Sequence, residues 1–250
     1  MGFSETEDRQ SRLRDKIIFM HPIIAKIGPF TIYSYGMMVA IAFLFGIFIA
    51  RLEAVRKNIR QDLVYDFSFY LIIGSIIGAR IYYILFFDIN GLLKDPIAVF
   101  KVWQGGLSIH GGILAGVVTG LIFSRLKKIS FWVLADLVSP SIILGQAIGR
   151  IGCYLNGCCY GINNQPTQIY ELILDFIGFL LLWNLRKKIR IKGGLFLLYL
   201  MIYAVIRIIV SRFRADNLYL WNTNLTLADL TSVIMFITGM TLFIIKKKHV

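Results

Sequence analysis

GLFLLYLMIYAVIRIIVSRF, residues 194–213, is nearly continuous hydrocarbon, and one guanidinium, Arg207, lies well inside it. About 20 apolar residues in helical form cross the roughly 30 Å hydrocarbon core of a bilayer, so this run reads as a membrane span. Working outward, comparable runs occupy 30–50, 67–87, 110–124, 131–148, 168–185 and 228–245. A chain that is 57% hydrophobic with a mean hydropathy of +0.71 has too little polar surface to cover a soluble globule of 250 residues. The expected fold is an all-α integral membrane protein, a bundle of about seven transmembrane helices. Residues 1–29 read as a mixed-charge N-terminal surface segment without a cleavable signal pattern, and 30–250 as one membrane domain with no separate soluble unit.

The net charge of +13 raises nucleic acid as a partner, but its distribution points elsewhere. The segments 51–66, 125–130, 186–193 and the tail after 245 hold 15 Lys and Arg. The intervening segments 88–109, 149–167 and 214–227, with Arg212, hold 5. By the positive-inside rule the richer set faces the cytoplasm, which puts the N-terminus outside and the C-terminus inside. The charge therefore sets orientation, and no nucleic-acid partner is expected.

Several features mark function against this background. Gly74 and Gly78 in the second run, and Gly112, Gly116 and Gly120 in the third, repeat at four-residue spacing and predict close helix packing. Between these runs, 88–106 is amphipathic, carries Trp103 and is expected to lie along the outer membrane surface. It leads into Gly105-Gly106-Leu107-Ser108-Ile109-His110-Gly111-Gly112, where paired glycines flank a histidine that is either structural or functional. Residues 149–161, GRIGCYLNGCCYG, crowd four glycines, a cation, an amide and three thiols at the end of the fourth run. Irregular polar backbone at membrane depth persists only where protein buries it or a cavity hydrates it, so this stretch reads as a site. An oxidising exterior permits a Cys153–Cys158 or Cys153–Cys159 disulfide. The C-x4-C-C spacing lacks the paired C-x2-C pattern of zinc sites, and no metal is expected.

A guanidinium in a membrane span costs about 2.5–3.5 kcal/mol on insertion scales and needs a partner or a polar cavity. Tyr203, Ser211 and Arg214 share the helical face of Arg207, and the fifth run supplies Glu171 and Asp175 one turn apart. Two readings stay open: a structural Arg–Glu pair, or an anion site in which Arg150 and Arg207 grip phosphate through parallel hydrogen bonds. The sequence has no P-loop, no H-E-x-x-H, no Ser-His-Asp set and no paired aspartates of the kind that hold a divalent metal in phospholipid synthesis. Arginine without metal carboxylates fits a phosphate already esterified to lipid.

In order along the chain, these motifs resemble the prolipoprotein diacylglyceryl transferase family. Gly149-Arg150-Ile151-Gly152 with Asn156-Gly157 and Gly161 resembles its G-R-x-G-N-x-x-N-G-x-x-x-G signature. Tyr35-Gly36, Gly78-Ala79-Arg80, the 105–112 stretch, Pro166-Thr167-Gln168-Ile169-Tyr170-Glu171, and Tyr203, Arg207 and Phe213-Arg214-x-Asp216 resemble further family motifs. Asp136, Pro140 and Gly145 also stand at family spacing. The resemblance implies transfer of the diacylglyceryl group of phosphatidylglycerol to the lipobox cysteine of a preprolipoprotein signal peptide in the bacterial cytoplasmic membrane, without a cofactor. It implies catalytic roles for His110, Arg150, Arg207, Tyr35 and Tyr203, with His110 as base or proton relay and the tyrosines orienting the head group. Arg150, Arg207, Asn156, Gly161, Glu171 and Arg80 are the implied lipid-binding set.

The chain also departs from the family pattern. Cys153 stands where asparagine is usual, Cys158 where many members carry an acid, and Gln165 in place of a histidine. Ser211 replaces an acidic residue and Asp229 a glutamine, so Arg207 loses its nearest expected carboxylate unless Glu171 substitutes. The rival readings are a non-catalytic phospholipid carrier and a divergent transferase with another acceptor.

Overall fold

The computed structural model describes residues 21–27, 30–89, 97, 106–220 and 225–248. The expected surface segment before residue 21 and nearly all of the amphipathic 88–106 stretch, Trp103 included, lie outside the described residues. Among the described residues a short antiparallel hairpin, β1 (Ile23–Ile27) and β2 (Phe30–Tyr33), precedes seven α-helices. These are α1 (Ser34–Arg56), α2 (Asp62–Phe87), α3 (Ile109–Leu126), α4 (Phe131–Asn156), α5 (Thr167–Leu185), α6 (Gly194–Ser211) and α7 (Leu227–Lys248). All seven are long and apolar enough to cross a bilayer, and the protein is a multi-pass membrane protein.

Two boundaries differ from the sequence reading. Residues 30–33 belong to a strand, so the first span begins at Ser34. β-Branched and aromatic residues (Thr31, Ile32, Tyr33) favour the extended form there, and the Ser34 amide closes the junction by donating to the Pro22 carbonyl at 2.9 Å. The fourth span does not stop at 148. Gly149–Asn156 form its last two turns, and the irregular backbone begins only at Gly157.

The chain forms two compact units. The first comprises Met1–Ile49 and Val138–Val250. Its core joins Ile143 and Leu144 of α4, Phe179 and Leu182 of α5, and Tyr199, Ile206 and Val210 of α6. Gly178 allows this approach: a Cβ there would lie 2.6 Å from Ile143 Cδ1. Ser141, beside Pro140 in α4, donates to the Gly46 carbonyl of α1 at 2.7 Å, which gives a hydroxyl in an apolar span a partner. Phe176, Ile177 and Leu180 on α5 remain exposed, as they must where hydrocarbon tails are the solvent.

The second unit, Ala50–Leu137, rests on the pairing of α2 with α3. Lipid offers no hydrophobic drive for helix association, so backbones must approach closely enough for dispersion to act. Gly78 and Gly111 make the tightest approach. A Cβ on Gly78 would lie 2.1 Å from Ala115 Cβ, and one on Gly111 would lie 2.4 Å from the Gly78 carbonyl oxygen. Of the glycines expected to pack, Gly112, Gly116 and Gly120 have more room than Gly111. Phe67 and Phe123 close one end of the pair, with ring centroids 5.2 Å apart, and Lys127 bonds Asp66 at 2.7 Å. Glu53, fully buried, pairs with Arg56, and Asp136 with Lys57 at 3.3 Å.

Gly78→Ala should lower the stability of the detergent-solubilised protein by about 1–3 kcal/mol through overpacking, and adding Ala115→Gly should recover part of that loss. Thermal unfolding of the single and double variants checks this; an unchanged melting temperature in Gly78→Ala contradicts the close approach.

Candidate head-group site

The first unit holds seven of the nine candidate residues, and two of them, Arg150 and Arg207, meet at the carboxylate of a third. Glu171 lies on the second turn of α5 and is 1% exposed. Arg150 of α4 donates through Nη2 to its Oε1 in a very short contact, and Arg207 Nη1 of α6 donates to the same oxygen at 3.3 Å. Arg214 Nη1 stands 3.9 Å from Oε2. The fifth span thus supplies the partner that Ser211 cannot, and Glu171 substitutes for the missing acid. The serine is engaged elsewhere, donating to Asp229 Oδ1 at 2.6 Å. Asp229 also fixes the start of α7: its Oδ2 accepts from the Thr226 amide at 3.1 Å while Thr226 Oγ1 accepts from the Asp229 amide at 3.0 Å, a reciprocal cap. Two departures from the family pattern therefore meet in one buried hydrogen bond.

Arg214 does not continue the helical face of Arg207, because α6 ends at Ser211. It reaches the site through an irregular pairing of two segments. The Ile162 amide donates to the Phe213 carbonyl at 2.8 Å and the Ala215 amide to the Tyr160 carbonyl at 3.2 Å. Gly161 is required by that crossing, since a Cβ there would lie 2.5 Å from the Phe213 oxygen. Arg214 is also gripped by Asp216 through two hydrogen bonds of 2.8 and 2.7 Å. These bonds raise the Arg214 guanidinium above its ordinary range and hold the Asp216 carboxyl below the usual carboxylate range. The Phe213-Arg214-x-Asp216 motif was the sequence signal for this third cation, but only the fold places it at Glu171.

With Arg214 matched by Asp216, Arg150 and Arg207 share the single bonded carboxylate of Glu171. Their side chains keep 17% and 19% exposure, so donor positions remain open to a ligand. Asp175, one turn further along α5 and fully buried, has no hydrogen-bond partner on either oxygen among the described residues. Tyr203 precedes Arg207 by one turn, is electrostatically coupled to Arg150 and Glu171, and stacks on Tyr199 with centroids 6.0 Å apart. Tyr35, in the first turn of α1 and exposed, lies against α4, where a Cβ on Gly152 would be 3.3 Å from its ring. Asn156 ends α4 and is exposed.

The thiols form a separate group beside Arg150. Cys153, Cys158 and Cys159 are all free, and Arg150 Nη1 lies 4.0 Å from Cys153 Sγ. Neither the Cys153–Cys158 nor the Cys153–Cys159 disulfide that an oxidising exterior would permit is formed. Hydrogen bonding from Cys153 brings the Cys159 thiol down to about 5, whereas burial pushes Cys158 up.

The remaining candidates belong to the second unit. Arg80, buried in α2, donates through Nη1 to the Gly106 carbonyl at 3.2 Å. Gly106 has φ +70, and a Cβ there would lie 2.5 Å from the Tyr83 ring, so the turn before α3 needs glycine. The Ser108 amide donates to the Ala79 carbonyl at 3.0 Å and fastens the same turn. Arg80 thereby braces the backbone that presents His110, the second residue of α3. His110 is exposed and stacks on Tyr82, with centroids 6.3 Å apart.

Seven helices long and apolar enough to cross a bilayer define a multi-pass membrane protein, and its first unit holds Arg150, Arg207 and Arg214 around one buried carboxylate. The chain belongs to the prolipoprotein diacylglyceryl transferase family, whose model matches residues 22–245. Among its relatives is a protein of Geobacillus kaustophilus, 37% identical over 256 residues, covering 92% of this chain and 92% of the relative. One of Trichormus variabilis is 36% identical over 257 residues, covering 91% of each. One of Staphylococcus saprophyticus is 36% identical over 254 residues, covering 92% of this chain and 90% of the relative. All three carry the name phosphatidylglycerol–prolipoprotein diacylglyceryl transferase.

Glu171→Gln should leave two guanidiniums unmatched and cost about 3–5 kcal/mol, the usual penalty for breaking a buried ion pair. Inorganic phosphate should then raise the melting temperature of this variant more than that of the unaltered protein. Equal phosphate responses would mean that Glu171 does not hold the two arginines against an anion site.

Proposed function

We propose that this chain transfers the sn-1,2-diacylglyceryl group of phosphatidylglycerol to the lipobox cysteine of preprolipoprotein signal peptides, releasing glycerol phosphate. Family membership and the names of relatives aligned over about nine-tenths of the chain support the activity. The observation that carries the mechanism is the convergence of Arg150 and Arg207 on Glu171.

In the reaction the acceptor thiolate attacks the glycerol carbon bonded to the phosphate oxygen. A C–S bond forms, the C–O bond breaks, and the electron pair leaves with the phosphate. The acceptor thiol, with an ordinary pKa of about 8.5, must lose its proton, and the leaving phosphate must be stabilised as its charge grows. Arg150 and Arg207 answer the second need: fixed guanidiniums in a dry site stabilise developing negative charge without reorganising. Glu171 orients both forks in the absence of lipid. Tyr203 and Tyr35 orient the head group, Asn156 and Gly161 shape the chain around it, and His110 takes or relays the thiol proton. Arg80 joins the lipid-binding set and also braces the turn at Gly106 that precedes His110. The acceptor supplies the reacting sulfur, so the chemistry needs none of the chain's own thiols.

The lysine- and arginine-rich segments support a cytoplasmic-membrane protein whose N-terminus lies outside and C-terminus inside. The membrane transferase domain then includes the β1–β2 hairpin, whose two strands pair with one another ahead of the first span.

The test incubates the purified chain with phosphatidylglycerol vesicles and a lipobox peptide. A thioether-linked diacylglyceryl peptide is expected. Arg207→Lys keeps the charge but loses the fork, and should lower turnover about 10²–10³-fold while the protein still inserts. Absence of product beside an active relative contradicts the proposal, and retained lipid binding in that case favours a carrier. Unchanged turnover in Arg207→Lys removes that residue from the mechanism.

A further inference from the structure

Cys153 stands on the last turn of α4, and Cys158 and Cys159 on the turn that follows. The linear spacing carries no zinc pattern, yet the fold brings the three sulfurs within 4.8 Å of one another. Gly157, at φ +72, reverses the chain, and the Cys158 amide donates to the Cys153 carbonyl at 3.1 Å. Cys159 has φ +65, a conformation uncommon for a residue with a side chain and one that persists only where the surroundings over-determine it. Those surroundings are the first turn of α5: Thr167 Oγ1 donates to the Cys159 carbonyl at 2.6 Å, and Gln168 Nε2 to the Cys158 carbonyl at 2.5 Å. Both backbone carbonyls are thus held, while three half-buried thiols face one another.

We propose that Cys153, Cys158 and Cys159 form a three-thiolate site for one soft d10 cation of the Zn²⁺ or Cu⁺ class. Donor chemistry selects that class, because thiolates disfavour the oxygen-seeking Mg²⁺ and Ca²⁺. Geometry permits it. Zn–S bonds of about 2.3 Å set tetrahedral sulfurs about 3.8 Å apart, so closing the cluster needs shifts of about 1 Å or less per sulfur. Binding releases to solvent whatever protons the three sulfurs still carry. The charge also fits: three thiolates around a divalent cation leave one net negative charge, around a monovalent cation two. Arg150, 4.0 Å from Cys153 Sγ, stands ready to balance it. A fourth position on Zn²⁺ would be filled by water. The bound ion would tie the end of α4 to the strap that leads into α5. This site is additional to the transferase reaction, since the acceptor supplies the reacting sulfur, and the two meet only at Arg150.

The test uses the full chain in detergent, purified under reducing, metal-free conditions and titrated with Cd²⁺ alone as the spectroscopic probe. Thiolate-to-cadmium charge-transfer absorption should saturate at one ion per chain, and the ion should shield the thiols from alkylation. Cys153→Ser, Cys158→Ser and Cys159→Ser should each weaken binding by more than the roughly 10–100-fold that loss of a mere supporting group costs. Absence of the band in the unaltered protein overturns the proposal, as does a band that survives replacement of all three cysteines. If a serine variant fails to fold, shielding in the unaltered protein decides: thiols that alkylate equally fast with and without Cd²⁺ refute the site. A disulfide among these cysteines in the protein as isolated from cells refutes it too.

Discussion

Glu171 is the constraint on which the first unit's polar interior depends. One carboxylate, almost wholly buried, receives Arg150 from α4 and Arg207 from α6, with Arg214 close by. A guanidinium in a membrane span without a partner is costly, so the arginines can be kept there only if something of opposite charge meets them. Glu171 meets two at once and leaves positive charge between them unmatched by any other bonded carboxylate. On the proposed reading the ion pairs are structural and functional together: they allow the arginines to reside in the span, and they aim them at the head group. The two readings that the sequence left open, structural pair or anion site, describe the same three side chains.

The helical scaffold packs by a different device in each of its two units. In the first, Gly178 and the Ser141–Gly46 hydrogen bond let α1, α4, α5 and α6 pack closely enough for side chains from three helices to share one carboxylate. In the second, Gly78 and Gly111 bring α2 and α3 to backbone contact, and Arg80 fastens the turn that precedes His110. Gly111 therefore does two things: it follows His110 in the motif and it fixes the helix that carries it.

The spans were legible in the sequence because crossing a bilayer leaves a plain mark of about 20 apolar residues. The edges were less so. Residues 149–156 look like a loop because glycine, arginine and asparagine dilute their hydropathy, yet they complete α4. A glycine in a helix costs only about 1 kcal/mol, and Gly152 lies in contact with Tyr35 and Met38. The hairpin at 23–33 was hidden because its strand residues are as apolar as a span. Arg150, Arg207 and Glu171 were readable as candidates from charge in an apolar context, but their convergence required knowing which faces of three helices meet. The Ser211–Asp229 bond was not readable at all, and of the thiol cluster only the closeness of the cysteines along the chain was. The first joins residues on different helices, and the second depends on a reversal at Gly157 that spacing alone does not encode.

On the proposed mechanism, Arg150 and Arg207 act as one phosphate-binding unit held by Glu171. A double-mutant cycle on phosphatidylglycerol binding, using Arg150→Gln, Arg207→Gln and the pair in the detergent-solubilised protein, tests it most directly. Residues sharing one ion-pair network couple by about 0.5–3 kcal/mol, so the double variant should lose clearly less affinity than the two single losses added together. Losses that simply add, or single variants that bind phosphatidylglycerol as tightly as the unaltered protein, would contradict the account.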